Sequence, residues 1–254
     1  MNPFGQVADH YDAEFSRQGT GLFQRRLVHL LLEPHLPPEG SAVLELNAGT
    51  GTDALNFQNR GYDVIPTDGS EEMVALMTEK GLPAIQWDLN NPRPDILKRD
   101  FPLVFSNFSG WNCVSPESLK SLGKVLSDSM SSGSTLAVVV FGPRCILENK
   151  YMFFAGRWKQ FGRRRKPAVK AKVGQSSMTI WNYRVVDLAG ILSPHFELVV
   201  QHPIGLFLPP SYIRIPAFAR GLLKIGYRMD RTIAKLGFLA PYADHMLLVF
   251  QKKQ

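Results

Sequence analysis

Apolar runs of four to seven residues punctuate the chain at Ala42–Leu46, Tyr62–Thr67, Ala84–Trp87, Leu103–Ser106 and Thr135–Phe141. Each is bounded by Gly, Pro, Asn, Asp or Ser, the pattern of a buried strand between turns. Helical stretches lie between them, at Asp53–Asn59, Glu71–Lys80 and Pro116–Met130. Ser70 stands where it can cap the second of these, with Glu71 and Glu72 in its first turn and Gly81 as its stop. Strands alternating with helices predict an α/β fold whose parallel sheet is covered on both faces. Leu22–Leu32 reads as an amphipathic helix, and residues 4–16 as a further helix ahead of it. Towards the C-terminus come a helix at Val185–Leu192, a strand at Phe196–Val200, a long helical stretch and a last strand, His245–Gln251. A chain of 254 residues with no internal repeat reads as a single domain, 1–254.

The most specific chemistry lies in Val43–Asp53, VLELNAGTGTD. A strand closes on Glu45, a tight Gly49-Thr50-Gly51 turn follows, and a helix opens just behind it with free N–H groups directed at the turn. The next strand delivers Asp68 about twenty residues after the turn, the spacing at which an acid holds ribose hydroxyls. This is the pattern of a nucleoside-cofactor site. Gly49–Ala54 can be fitted to the dinucleotide fingerprint, which keeps a nicotinamide enzyme open. Against that reading, Glu45 is a poor neighbour for a pyrophosphate and a good one for a cofactor carrying a sulfonium and an ammonium. The chain also lacks a Tyr-x-x-x-Lys pair.

At Glu45-Leu46-Asn47-Ala48-Gly49-Thr50-Gly51 the sequence resembles the class I S-adenosylmethionine-dependent methyltransferases, whose first motif is E/D-x-G-x-G-x-G. Asn47 departs from it by replacing the first glycine, and Asn tolerates left-handed backbone. The resemblance covers about residues 40–142 and 183–251. It implies a Rossmann-like three-layer sandwich with a seven-stranded, mostly parallel sheet whose last strand is antiparallel, and it leaves residues 143–182 as an insertion after strand five. It implies S-adenosyl-L-methionine as cofactor, held by Glu45, Asn47, Ala48, Gly49 and Gly51 in the first loop. Asp68 and Gly69 then meet the ribose and adenine, Met73 packs on the ring, Asp88 and Leu89 take the adenine edge, and Asn107 meets the amino-acid part. Phe4, Ala8, Tyr11 and Asp12 match an N-terminal helix that closes over the cofactor in many small-molecule members, so residues 1–32 are expected to form a helical lid. Asn107-Phe108-Ser109-Gly110 lacks the prolines of the enzymes that methylate exocyclic amines of nucleobases. Candidates for the catalytic role are Tyr11, Asn112 in the space where an acceptor must lie, and His245 before the last strand. Cys113 reads as a small buried hydrophobe.

Charge sharpens the question of partners. The net +7 is concentrated in residues 143–175, which hold ten Lys or Arg against one acid, Glu148. The same theme recurs over 217–238, where Arg220, Lys224, Arg228, Arg231 and Lys235 share one helical face. Phe218, Leu222, Ile225, Met229, Ile233 and Leu236 lie opposite them, the make-up of a helix for an anionic membrane surface or of one packed on its own domain. Two cysteines, Cys113 and Cys145, have no metal-ligand spacing, so no metal is expected, and with no signal peptide the expected compartment is the cytoplasm. The function expected is methyl transfer to a small-molecule acceptor, lipid-like or anionic. The alternatives are an RNA methyltransferase using the Arg-rich insertion as a phosphate-binding arm, nucleic acid being the less favoured partner, and a non-catalytic protein that binds S-adenosylmethionine.

Overall fold

The computed structural model describes residues 19–97, 99–173, 176–213, 215–216, 218 and 220–254. Its strands are β1 (Ala42–Leu46), β2 (Asp63–Asp68), β3 (Ile85–Gln86), β4 (Leu103–Ser106), β5 (Thr135–Phe141), β6 (Ala168–Val173), β7 (Ser176–Trp181), β8 (Phe196–Ile204) and β9 (His245–Lys252). The helices longer than one or two turns are α1 (Thr20–Leu32), α2 (Thr52–Asn59), α3 (Glu71–Glu79), α4 (Pro116–Ser127), α5 (Ile146–Phe154), α6 (Val185–Leu192) and α7 (Arg220–Ile233). Seven strands form one sheet in the order β3-β2-β1-β4-β5-β9-β8. β9 runs antiparallel to both β5 and β8, and the remaining pairs are parallel. This is the Rossmann-like sandwich expected, with the last strand inserted antiparallel.

The pleat distributes the core between the two faces. Leu136, Val138 and Val140 of β5 pack with Leu119, Leu122 and Leu126 of α4 and Leu188 and Leu192 of α6. Ala137 and Val139 face the other layer, with Leu27, Val28 and Leu32 of α1 and Phe57 of α2. α1 therefore belongs to the core. The lid expected over residues 1–32 does not extend to it, because a helix burying Leu27, Val28, Leu31 and Leu32 cannot swing open without exposing them. Residues 1–18, including Tyr11, lie outside the described residues.

The segment 143–182 holds α5, short helical turns and a separate β6–β7 hairpin paired from Ala168↔Trp181 to Val173↔Ser176. Among the described residues, no helix is long and apolar enough to cross a membrane.

α7 is anchored by a buried acid. Asp230 Oδ1 accepts the N–H groups of Leu206 and Phe207, both at 2.9 Å. Burial pushes its carboxyl up to about 6, and the backbone N–H groups offset this only in part. A folded-state value above the unfolded one means that this group's contribution is full below the unfolded pKa of about 4 and is lost as pH rises to about 6. Asp230→Asn should abolish that loss, worth on the order of 3 kcal/mol between pH 4 and pH 8. Urea unfolding of both proteins across this range checks it; parallel pH profiles would refute it.

Candidate active site

Alternation along β1 sends Leu44 and Leu46 to one face and Val43 to the other, so Glu45 follows Val43 to the layer of α1 and α2. The chain then turns sharply. The N–H of Ala48 donates to Thr67 O at 2.9 Å, that of Gly49 to Asp68 Oδ2 at 2.9 Å, and that of Gly51 to Ala48 O at 3.0 Å. Asn47 takes φ 53°, in the left-handed region. It fits because Gly110 faces it: a Cβ on Gly110 would stand 2.4 Å from Asn47 Cβ. Gly51, at φ 78°, starts α2. A Cβ there would meet Leu82 at 2.7 Å and Met77 at 2.9 Å, so this glycine serves packing behind the loop and does not line the cavity.

A cavity of about 230 Å³ lies at the carboxyl edge of β1, β2 and β4. Glu45, Asn47, Ala48 and Gly49 line it from the first loop, and Asp68, Gly69 and Met73 from the second. Asp88, Leu89 and Asn107 complete the set, so ten of the eleven residues assigned to the cofactor converge there. Asp68 also ties the loops together, its Oδ1 accepting the Ser70 N–H at 2.9 Å while Oδ2 holds Gly49. Burial raises its pKa, and those backbone N–H groups oppose the rise. Glu45 is buried, and its Oε2 has no hydrogen-bond partner among the described residues. Burial and then the charge of Asp53 push its carboxyl well above the ordinary range, against the opposing Arg25 guanidinium.

Nothing local in the sequence marks the network beside it. Asp53, in the first turn of α2, pairs with Arg25 of α1, accepts from Asn107 Nδ2 at 3.0 Å and lies 2.7 Å from His29 Nε2. Burial alone would raise the Asp53 carboxyl, but Arg25 and His29 hold it well below the usual range. Arg25 also stacks on Phe108 at 4.7 Å and lines the cavity. The Asn107 amide is thus engaged with Asp53 and, through Oδ1, with the Phe108 N–H at 2.9 Å. Phe108 and Ser109 have φ 46° and 66°. With Asn47, the non-glycine residues of positive φ among those described all border this site, where such strain tends to collect.

A second cavity, of about 310 Å³, adjoins the first and shares Phe108, Ser109, Cys113 and Met178 with it. Its roof is the β6–β7 hairpin, whose pairs Val169↔Ile180 and Ala171↔Met178 face inward while Lys170 and Thr179 face solvent. On its floor is His245, between the rings of Phe108 (5.8 Å) and Phe141 (5.1 Å). His245 Nδ1 is 3.1 Å from Asp244 Oδ2, though off a good hydrogen-bond alignment. Asp244 also accepts from Gln24 Nε2 at 2.9 Å and from Arg164 Nη2 at 2.8 Å. Against burial, His245 and Arg164 hold it far below an ordinary carboxyl.

Other expectations do not fit this geometry. Arg164, in the Arg-rich segment, is buried, pairs with Glu148 at 2.7 Å as well as with Asp244, and stacks on Phe141. Arg163 is likewise held by Glu148, at 2.6 Å. Asn112 lines neither cavity; its Nδ2 donates to Trp181 O at 2.6 Å and its Oδ1 accepts the Phe141 N–H at 3.0 Å. That use inside the fold leaves it no catalytic position. Cys113 borders both cavities, but burial pushes its thiol up to about 11, so it is not an activated nucleophile. Among the described residues, no group of three or more His, Cys, Asp or Glu could hold a metal ion.

No family model matches the chain, and no curated protein sequence does. Solved structures share its fold at low identity. The CcbJ methyltransferase from Streptomyces caelestis is 14% identical with a TM-score of 0.62, over 100% of this chain and 99% of that one. An S-adenosylmethionine-dependent methyltransferase from Clostridium acetobutylicum is 11% identical, TM-score 0.58, over 100% of both. DhpI in its S-adenosylhomocysteine complex is 16% identical, TM-score 0.58, over 98% and 93%. The chain therefore has the fold of the class I S-adenosylmethionine-dependent methyltransferases.

Proposed function

We propose that the chain is an S-adenosylmethionine-dependent methyltransferase whose acceptor is a small, largely apolar molecule bearing a hydroxyl group. The observation that carries this reading is the meeting of two unlike cavities at Phe108 and Cys113, one rimmed by Glu45, Asp68 and Asp88, the other roofed by Val169, Met178 and Ile180. The residues fit a cationic donor. The orphan Oε2 of Glu45 is a buried acceptor next to a cavity, and a bound ammonium or sulfonium would supply the charge it lacks. Asp68 and Asp88 each keep acceptor capacity for ribose hydroxyls and the adenine amino group. When bound, such a donor supplies an electrophilic methyl group whose sulfonium charge is lost on transfer. The protein's own contribution is alignment of the acceptor, water exclusion by the hairpin, and a base.

His245 serves as that base: with Nδ1 turned to Asp244, Nε2 is the nitrogen left to take the hydroxyl proton. Arg163 and Arg164 are consumed by Glu148 and Asp244, which favours a neutral acceptor over an anionic one and weakens the Arg-rich segment as an RNA arm. Two free cysteines suit a cytoplasmic setting.

Titration calorimetry with S-adenosylhomocysteine and with NADH tests the donor; saturation by NADH alone would overturn it. With labelled methyl donor and a panel of phenols, alcohols, amines and RNA, label should enter the hydroxyl compounds. His245→Asn should then lower kcat by about 10²–10⁴-fold and leave S-adenosylhomocysteine affinity unchanged. Label in amines or RNA alone, or an unaltered kcat, would refute the acceptor assignment.

A further inference from the structure

α7 has three faces, where its periodicity suggested two. The buried face holds Leu223, Gly226 and Asp230, with Ala234 just beyond the end of the helix. It seats on α1, with Tyr227 beside it against Phe23 at 5.3 Å. The basic face is exposed, as expected. The apolar face does not pack on the domain: Leu222 is 65% exposed, Ile225 53% and Met229 42%, and the stripe continues beyond the helix at Phe218, 92% exposed, Leu236 and Phe238. Contiguous exposure of large apolar side chains marks an interaction site rather than the scatter of single residues normal on any surface.

The surface continues. Phe238 and Tyr242 border one groove, and Tyr242 borders the next together with Phe153, Phe154 and Phe161. Phe154 is 83% exposed and Trp158 63%; Lys150 and Arg165 line the same groove, and Arg157 precedes Trp158 in the chain. From Arg220 to Lys235 the only acid is Asp230, and it is turned inward.

The geometry points to this face as a docking surface for an anionic lipid bilayer. An apolar stripe that sinks to the acyl boundary, bordered by long cations that reach back to the headgroups, matches such a surface in both chemistry and charge. Interfacial aromatic rings of the kind at 153–158 add to it. A nucleic acid would use the cations but leave the stripe in water, and a second copy of the chain would bring cation against cation. The inference is independent of the methyl-transfer reading, since neither the stripe nor the cations line the cofactor cavity.

The test is co-sedimentation of the full chain with vesicles of phosphatidylcholine, alone or with an equal part of phosphatidylserine. The chain should pellet with the anionic vesicles, and added salt should release it. Lys224→Gln, Arg228→Gln and Lys235→Gln combined should weaken binding on the order of a hundredfold, at about fivefold per charge. Leu222→Ser, Ile225→Ser and Met229→Ser combined should abolish it while leaving circular dichroism and thermal unfolding unchanged. Absence of binding to anionic vesicles would overturn the proposal. So would an apolar triple variant that dissociates a dimer in sedimentation velocity, or one that unfolds at lower temperature, since either would show the stripe to be covered by protein. RNA binding lost in the basic variant but kept in the apolar one, with vesicle binding absent, would assign the helix to nucleic acid instead.

Discussion

Arg164→Ala should destabilise the protein by about 3–5 kcal/mol at neutral pH, the cost of removing the buried cation that two buried carboxylates share. Arg164 holds Asp244 at 2.8 Å and Glu148 at 2.7 Å, and all three side chains are buried. The guanidinium also donates to the Asp244 backbone carbonyl, so the variant loses the tie between the 163–165 turn and the start of β9. For a chain of this size the loss corresponds to a fall in Tm on the order of 10 °C. The pH dependence gives the mechanism away. In the wild type both acids are held below their ordinary values, so their contribution is full above about pH 4 and is lost as pH falls through the lower, folded-state pKa. Without Arg164, burial is opposed only by Arg163 and Tyr212 at Glu148 and by His245 and Gln24 at Asp244, so both acids rise and take up protons more readily. The deficit should therefore be greatest near pH 7 and shrink below about pH 5. Thermal unfolding of both proteins at a series of pH values measures this, and a deficit independent of pH would refer the loss to packing on Phe141 rather than to charge.

What could be read from the sequence, and what could not, follows from the range of the interactions. β5 lies at Thr135–Phe141 as expected, because a run of apolar residues buried on both sides needs nothing distant to define it. The acids at the strand ends were legible for the same reason: a strand, a turn and a helix in sequence place Glu45 and Asp68 at one edge of the sheet. The Arg25–Asp53 pair was not, since 28 residues separate its partners and nothing local marks either. The β6–β7 hairpin was hidden by its own charge. Val169 and Ala171 alternate with Lys170 and Lys172, a period of two that density of cations disguised as a solvated run. Arg164 is indistinguishable in sequence from its neighbours Arg163 and Arg165, and only the fold brings Glu148 and Asp244 to it. In α7 the strong contrast between basic and apolar residues drew attention from the third face, where Gly226 and Ala234 allow close approach.

The affinity for S-adenosylmethionine should rise with pH above the ordinary carboxyl range and level off once Glu45 is ionised in the free protein. Burial and the neighbouring Asp53 and Asp68 raise Glu45, and these same neighbours make a cation welcome at the site. A bound sulfonium and ammonium would stabilise the carboxylate, so binding releases a proton at any pH where the free site holds one. By linkage the association constant then grows with pH by at most one power of ten per unit for each proton released. Glu45→Gln should bind more weakly than the wild type at high pH, and the two should converge at low pH, where both carry a neutral side chain. A shallower slope should remain in that variant, because Asp68 is raised by burial too and accepts hydrogen bonds more strongly when ionised. Asp68→Ala removes both the acceptor proposed for the ribose and the clasp on Gly49 and Ser70. The loss of one or two charge-assisted bonds puts its cost on the order of a hundredfold in affinity. Calorimetry in buffers of different ionisation enthalpy counts the protons directly. Proton uptake on binding, or a wild-type affinity that does not change with pH, would mean that Glu45 does not face the donor's positive charge.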